Sequence, residues 1–252
     1  MLIARAASGL SCERRPYGLK LEDGETLPAR TVVIATGAQY RKLPLENLAR
    51  FEGNGVYYGA THLESQLCGG QDVVVIGGAN SAGQAAVFLA QTAKRVYLLV
   101  RGESLANTMS RYLVRRIEES PKIELLTQTE ITSLAGNDRL EAVEWRDNKT
   151  GKVETHAIGG LFSMIGAIPN SAWLGGCVAC DNGGFIKTGT DLTQQDLKRA
   201  NWPMTRQPFL LETSLPGVFA VGDVRAGNLK RVASAVGEGS IAVSFVHQVL
   251  SQ

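Results

Sequence analysis

Cysteine is scarce in this 252-residue sequence. Cys12, Cys68, Cys177 and Cys180 are too few for a disulfide scaffold at this length, and they agree with a reducing compartment. Neither sign of charge dominates: 26 lysines and arginines face 24 acids, for a net charge of +2. The basic residues are scattered rather than striped, which speaks against nucleic acid or an acidic membrane surface as a partner. No apolar run approaches the roughly 18 residues of a membrane-spanning helix, and no charged-then-apolar leader follows Met1, so the expected location is the cytoplasm. Solenoid-period repeats and low-complexity tracts are missing as well. What remains is an ordinary globular composition, 44% hydrophobic and 20% charged, with room for two modest domains.

Along the chain, the opening segment alternates apolar and polar residues, turns at Asp23-Gly24 and runs into Thr31-Val32-Val33-Ile34-Ala35, which predicts a β-meander ending in a buried strand. A connection marked by Pro44, Gly53 and Gly55 follows, and a boundary is expected near residue 53. Val73 to Ile76 is a β-branched run between glycines, followed by a helix with regular spacing from Gln84 to Ala93 and a strand from Val96 to Val100. That βαβ unit implies a parallel sheet covered on both faces. A helix over 110–119, a strand over 123–128 and a hairpin from Ala142–Trp145 and Val153–Ala157 complete a domain closing near residue 162. Beyond it lie a Gly-rich stretch, a short strand at Gly217–Val221 and a last helix over 232–250.

The clearest local signal is Gly77-Gly78-Ala79-Asn80-Ser81-Ala82-Gly83, placed directly after a strand and before a helix. A dinucleotide pyrophosphate needs that arrangement, because the turn delivers it to free N–H groups and the positive end of the helix dipole. In the G-x-G-x-x-G/A frame the positions fall on Gly77, Ala79 and Ala82, so the middle glycine is absent. The alternative is a strand-to-helix turn required only for packing. At the end of the next strand Arg101 stands where an NAD site would carry an acid, and it suits a 2′-phosphate; the alternative is a solvated arginine. Near the C-terminus Gly222-Asp223 ends a short apolar strand, and Lys230-Arg231-Val232 precedes a helix. An aspartate there can accept a hydrogen bond from a cofactor hydroxyl, and a helix N-terminus stabilises negative charge on a flavin.

Taken in order, Ala35-Thr36-Gly37, the Gly77–Gly83 turn, Ile165-Gly166-Ala167-Ile168-Pro169-Asn170 and Pro216–Asp223 resemble the low-molecular-weight thioredoxin reductase family, a class II pyridine nucleotide-disulfide oxidoreductase. The resemblance covers nearly the whole chain. It implies an α/β fold of two Rossmann-like domains, with an NADPH-binding domain (53–162) inserted into a split FAD-binding domain (1–52 and 163–252). Ala35, Thr36 and Gly37 would then line the FAD turn, Asp223 would face the ribityl chain, Lys230, Arg231 and Val232 would approach the isoalloxazine, and Gly166 would be a further cofactor-binding residue. Gly77, Gly78, Ala79, Asn80, Ser81, Ala82 and Arg101 would hold NADPH. A homodimer, and a redox protein as electron acceptor, are implied with it.

Two departures from the family pattern stand out. The family's first strand, Gly-rich fingerprint and helix, which hold the FAD pyrophosphate, have no counterpart here, so the chain is expected to be an N-terminally shortened form with an incomplete FAD domain. Where the family carries its redox Cys-x-x-Cys, this chain has Gly59 and His62 within Tyr58–His62. Cys68 reads as a structural thiol and His62 as a structural histidine. Cys177-Val178-Ala179-Cys180 has C-x-x-C spacing but no helix signal after it, and it reads as two partly buried residues rather than a redox pair. Three functions stay open: hydride transfer from NADPH through FAD to an unidentified acceptor, nucleotide binding without turnover, and disulfide reduction through Cys177 and Cys180.

Overall fold

The computed structural model describes residues 5–251, and the chain divides into two compact units. A split unit contains the residues up to Gln39 and those from Ala167 onward; an inserted unit spans Tyr40–Gly166. The boundaries differ from the expected 52/53 and 162/163. The early one moves because Leu43, Leu45, Leu48 and Phe51 pack into the inserted unit's core, with Phe51 fully buried.

The split unit opens with strands β1 (Ala7–Ser11), β2 (Tyr17–Leu21) and β3 (Thr26–Ala29), which pair in order as an antiparallel meander. Gly24 makes the turn at φ +87°, a conformation that favours glycine. Strand β4 (Val32–Ile34) follows, with Ile34 buried but Val33 43% exposed, so only one face of this strand is covered. β5 (Ala38–Tyr40) carries the chain across the first boundary.

In the inserted unit a short helix α1 (Leu48–Phe51), strand β6 (Val56–Tyr57) and helix α2 (His62–Leu67) precede the central elements. These are β7 (Asp72–Ile76), α3 (Asn80–Leu89), β8 (Arg95–Val100), α4 (Arg111–Glu118) and β9 (Ile123–Thr127). Three further strands, β10 (Thr129–Ala135), β11 (Ala142–Asp147) and β12 (Val153–Ala157), form an antiparallel sheet, and β13 (Gly160–Ser163) returns to the parallel one. The parallel order is β6-β13-β7-β8-β9.

Period-two alternation sorts the strand side chains onto two faces. Val73, Val75, Val96, Leu98 and Val100 meet Ala82, Ala85, Ala86 and Leu89 of α3 and Leu113 and Ile117 of α4. Val74, Ile76, Tyr97 and Leu99 meet Ile131, Leu134, Val143 and Trp145 of the antiparallel sheet. Both faces are therefore dry, which is why β7 and β8 read as unbroken apolar runs. Close packing of α3 onto the start of α4 depends on Gly83, where a Cβ would stand 2.6 Å from Met109 Sδ.

The chain returns to the split unit through β14 (Ala167–Pro169), a short helix α5 (Gln194–Arg199), β15 (Val218–Ala220) and the long helix α6 (Val232–Leu250). β15 pairs in parallel with β4. Glu212 is fully buried, and its carboxylate accepts hydrogen bonds from Arg206 (2.6 Å), Gly217 N–H (2.7 Å) and Phe209 N–H (2.9 Å). α6 buries Ala242 and Val249 while Val232, Val236 and Val243 stay exposed.

One covalent feature differs from expectation. Cys12 is disulfide-bonded to Cys177, with their Cα atoms 5.9 Å apart and 165 residues between them in sequence, while Cys68 and Cys180 are free. No helix among the described residues is long and apolar enough to cross a membrane.

Leu98 lies on β8, between β7 and β9 of the parallel sheet, with no exposed surface. Leu98→Ala is expected to lower the unfolding free energy by about 2–5 kcal/mol in a denaturant titration, from lost burial and the cavity left behind.

Candidate functional site

β7 delivers the chain to Gly77, whose N–H donates to Leu99 O at 3.0 Å. Gly77 has φ +140°, and a Cβ there would meet Met164 O at 2.6 Å and Ala82 Cβ at 3.1 Å. The glycine is thus required by both backbone conformation and packing. Ala82 is fully buried against it, so it holds the helix close to the strand rather than facing outward.

Ala79, in place of the middle glycine, caps the helix with φ −103° and ψ 177°, ordinary extended backbone that alanine adopts freely. Its carbonyl accepts the N–H groups of Ala82 (3.0 Å) and Gly83 (3.2 Å), and its side chain supplies no cap. The N–H groups of Asn80 and Ser81 at the first turn are left without an intrahelical acceptor, as a dinucleotide pyrophosphate requires. The Asn80 side chain is engaged elsewhere, because its Oδ1 accepts from Ser110 N–H at 2.8 Å and so fixes the start of α4. Thr108 Oγ1 donates to Gly78 O at 2.6 Å, which holds the turn from the same side. Arg101 is exposed at the end of β8 and forms no hydrogen bond or ion pair among the described residues.

In the split unit, Ala35, Thr36 and Gly37 follow β4. Thr36 Oγ1 donates to Asn170 O at 2.6 Å, Asn170 Nδ2 donates to Thr36 O at 2.8 Å, and Asn170 N–H donates to Gly37 O at 3.0 Å. Asn170 therefore clamps this turn, and Gly37 at φ +68° leaves open space where a side chain would stand. Gly222 follows β15 at φ +69°, and its N–H donates to Glu238 Oε2 of α6 at 2.7 Å. Glu238 also accepts from Arg225 Nη2 at 2.6 Å and Asn228 Nδ2 at 3.0 Å. Asp223 is half-buried, and its carboxylate has no partner among the described residues, which leaves it free for a ligand hydroxyl. Lys230 has φ +49° and holds its ammonium 4.3 Å from the centre of the Phe185 ring, while Arg231 and Val232 are exposed at the start of α6. Gly166, at φ +98°, is the last residue of the inserted unit rather than part of the split one.

Asn170 ends the motif at Ile165–Asn170 but has no expected site role, and Glu238 lies in none of the sequence motifs; their partners lie 134 and 16 residues away.

At the family's redox position, Gly59 and His62 carry no thiol. His62 opens α2 and is exposed, with its Nε2 3.0 Å from Gln66 Nε2. Cys68 is buried with its Sγ 3.7 Å from Gly159 O, and burial pushes its thiol above the ordinary value, the state of an inert cysteine. Cys177 is bonded to Cys12, so the C-x-x-C at Cys177 and Cys180 is not the bonded pair, and a disulfide reductase reading based on those two loses its ground.

A strand, Gly-rich turn and helix in a parallel sheet are the arrangement of a dinucleotide-binding fold. The chain matches the Pyridine nucleotide-disulphide oxidoreductase family over residues 5–239, and it belongs to that family. It is 32% identical over 251 residues to the F subunit of alkyl hydroperoxide reductase from Pseudomonas putida, covering 98% of this chain and 43% of that protein. Against the thioredoxin reductase of Mycoplasmopsis pulmonis the identity is 31% over 227 residues, covering 89% of this chain and 66% of that protein. Among solved structures, thioredoxin reductase from Giardia duodenalis superposes with a TM-score of 0.82 at 26% identity, over all of this chain and 76% of that one. The chain thus spans less than half of the first of these relatives. FAD and NADPH are the cofactors of the thioredoxin reductases in this family.

The residues present fit NADPH at the Gly77–Ser81 turn. They fit the flavin end of FAD at Gly37, where a side chain would meet nothing within 4 Å, and at Asp223, whose carboxylate has no partner among the described residues.

Gly77→Ala is expected to lower the unfolding free energy by about 1–3 kcal/mol, from a strained φ and the clash with Met164 O, while Ala79→Gly leaves it within about 1 kcal/mol. Equal losses in the two variants would contradict this account of the turn. A second expectation concerns acid. Burial pushes the Glu238 carboxyl up, but hydrogen bonds from Arg225 and the Gly222 N–H outweigh it and hold the group below its ordinary range. Its stabilising share is then complete above the unfolded carboxylate pKa of about 4.3 and is lost as pH falls through the lower folded value. Glu238→Gln is expected to flatten the acid limb of the pH–stability curve below about pH 4.3, and an unchanged slope would refute the assignment.

Proposed function

We propose that this chain is the nucleotide- and flavin-binding part of an NADPH- and FAD-dependent oxidoreductase of the thioredoxin reductase type. The reading rests on one observation above the others: the Gly77–Ser81 turn sits between β7 and α3 with the Asn80 and Ser81 N–H groups free. Those two N–H groups bind the NADPH pyrophosphate, helped by the positive end of the α3 dipole. Gly77 and Gly78 shape the turn, Ala79 borders it, and buried Ala82 keeps the helix in place. Arg101 pairs with the 2′-phosphate.

In the split unit, Ala35, Thr36 and Gly37 line the flavin, and Gly166 directly precedes the return of the chain to this unit. Asp223 accepts a hydrogen bond from the ribityl chain, positioned by Gly222 and its bond to Glu238. Lys230, Arg231 and Val232 present the start of α6 to the isoalloxazine. FAD, when bound, supplies the two-electron acceptor for a hydride from NADPH. A redox protein is the class of electron acceptor that the family resemblance implies. That acceptor is not served by a cysteine pair at Gly59 and His62. A homodimer, as the family resemblance implies, is part of this proposal.

A second reading is nucleotide binding without turnover, through the Gly77–Ser81 turn alone. Purified protein is expected to show flavin absorbance, or to gain it with added FAD, and to bleach on addition of NADPH. Protein that binds NADPH but takes up no flavin would replace the oxidoreductase reading with the second one. Arg101→Ala is expected to weaken NADPH binding roughly tenfold, about 1.4 kcal/mol, and to leave NADH binding unchanged in a fluorescence titration. Equal loss for both nucleotides would remove Arg101 from the 2′-phosphate.

A further inference from the structure

Three cysteines gather in the split unit. Cys12 follows β1, and Cys177 follows a short 3-10 turn at Ala172–Leu174, to which it is tied by its N–H donating to Leu174 O at 3.0 Å. Cys180 lies three residues further on, unbonded and exposed. Its surroundings are fixed: Val178 is buried, Ala179 N–H donates to Ser214 Oγ at 2.9 Å, and Cys180 forms a β-bridge with Ile186. Its Sγ is 3.8 Å from Val178 O, the carbonyl of the residue that follows Cys177. Gly175 and Gly176, at φ +56° and +86°, stand directly before Cys177, with nothing within 4 Å of where their side chains would be. The chain thus enters Cys177 through two residues in the left-handed region, and Cys180 lies in a β-bridge.

We propose that Cys12, Cys177 and Cys180 form a thiol–disulfide exchange site, in which the bond moves between Cys12–Cys177 and Cys177–Cys180. In the exchange, the Cys180 thiol gives its proton to solvent and its thiolate attacks Cys177 Sγ. The Cys177–Cys180 bond forms as the Cys12–Cys177 bond breaks, and Cys12 leaves as a thiolate that takes a proton from solvent. No electrons are gained or lost, so no oxidant or reductant is needed. Desolvation of the Cys180 sulfur, with Asp181 nearby and Lys187 opposing, holds its thiol above the ordinary value, which keeps the thiolate fraction small.

The test is disulfide mapping of the full chain by alkylation and mass spectrometry without reduction. Wild type is incubated without reductant and then given one alkylating pulse. The expected products are mostly the Cys12–Cys177 crosslink with alkylated Cys180, and a minor fraction carrying the Cys177–Cys180 crosslink with alkylated Cys12. Cys180→Ser abolishes the minor fraction. Cys12→Ser, where it folds, gives the Cys177–Cys180 crosslink as its main product after mild oxidation. Absence of that crosslink from both wild type and C12S overturns the proposal, as does alkylation of Cys12 and Cys177 throughout the unreduced wild type.

Discussion

The inserted unit turns on the approach of Gly77 to the carbonyl of Met164. β13 lies beside β7, and Met164 N–H donates to Ile76 O at 2.8 Å just where β7 ends. The chain must leave the sheet at that point without a side chain, and it can do so only at a positive φ. The direction in which Gly77 leaves sets where Ala79 caps α3, where the first-turn N–H groups point, and how close Ala82 and Gly83 come to the sheet and to α4. The site is thus a by-product of strand packing. A packing requirement and a binding requirement fall on the same residue, and the stability and binding effects of Gly77 must be measured separately to be told apart.

The sheet and the turn were legible in the sequence because their signals are local. Val73–Ile76 and Val96–Val100 are dense β-branched and apolar runs, and the last helix begins and ends where its spacing placed it. β10 was hidden because it follows β9 after a single residue, Gln128 at φ +51°, so that two strands in different sheets look like one strand with a polar tail. The early boundary was misplaced for a related reason. Leu43 to Phe51 lacks regular spacing, and its apolar residues declare their core only in three dimensions.

At the site, the residue types were readable and their partners were not. Ala79 looked like a defect in the glycine pattern, yet its backbone is ordinary extended chain that any residue adopts. Asn80 looked like a ligand contact, yet its side chain is committed to Ser110. Asn170 clamps the Thr36–Gly37 turn and Glu238 holds the Gly222 N–H, contacts with backbone groups that sequence spacing cannot encode. Cys177 and Cys180 have C-x-x-C spacing and read as two partly buried residues, and the structure joins Cys177 to Cys12, 165 residues away, a pairing that no local spacing encodes.

That bond has a topological consequence. Cys12 precedes the inserted unit and Cys177 follows it, so the disulfide closes a covalent ring that contains every residue from Tyr40 to Gly166. In the chain-entropy account a ring of this size restricts the unfolded state by on the order of 5 kcal/mol. The inserted unit is then a loop whose two ends are held by something other than itself. A protease cut within it would open the ring without separating the two segments of the split unit, and those segments would remain one molecule until the bond was reduced.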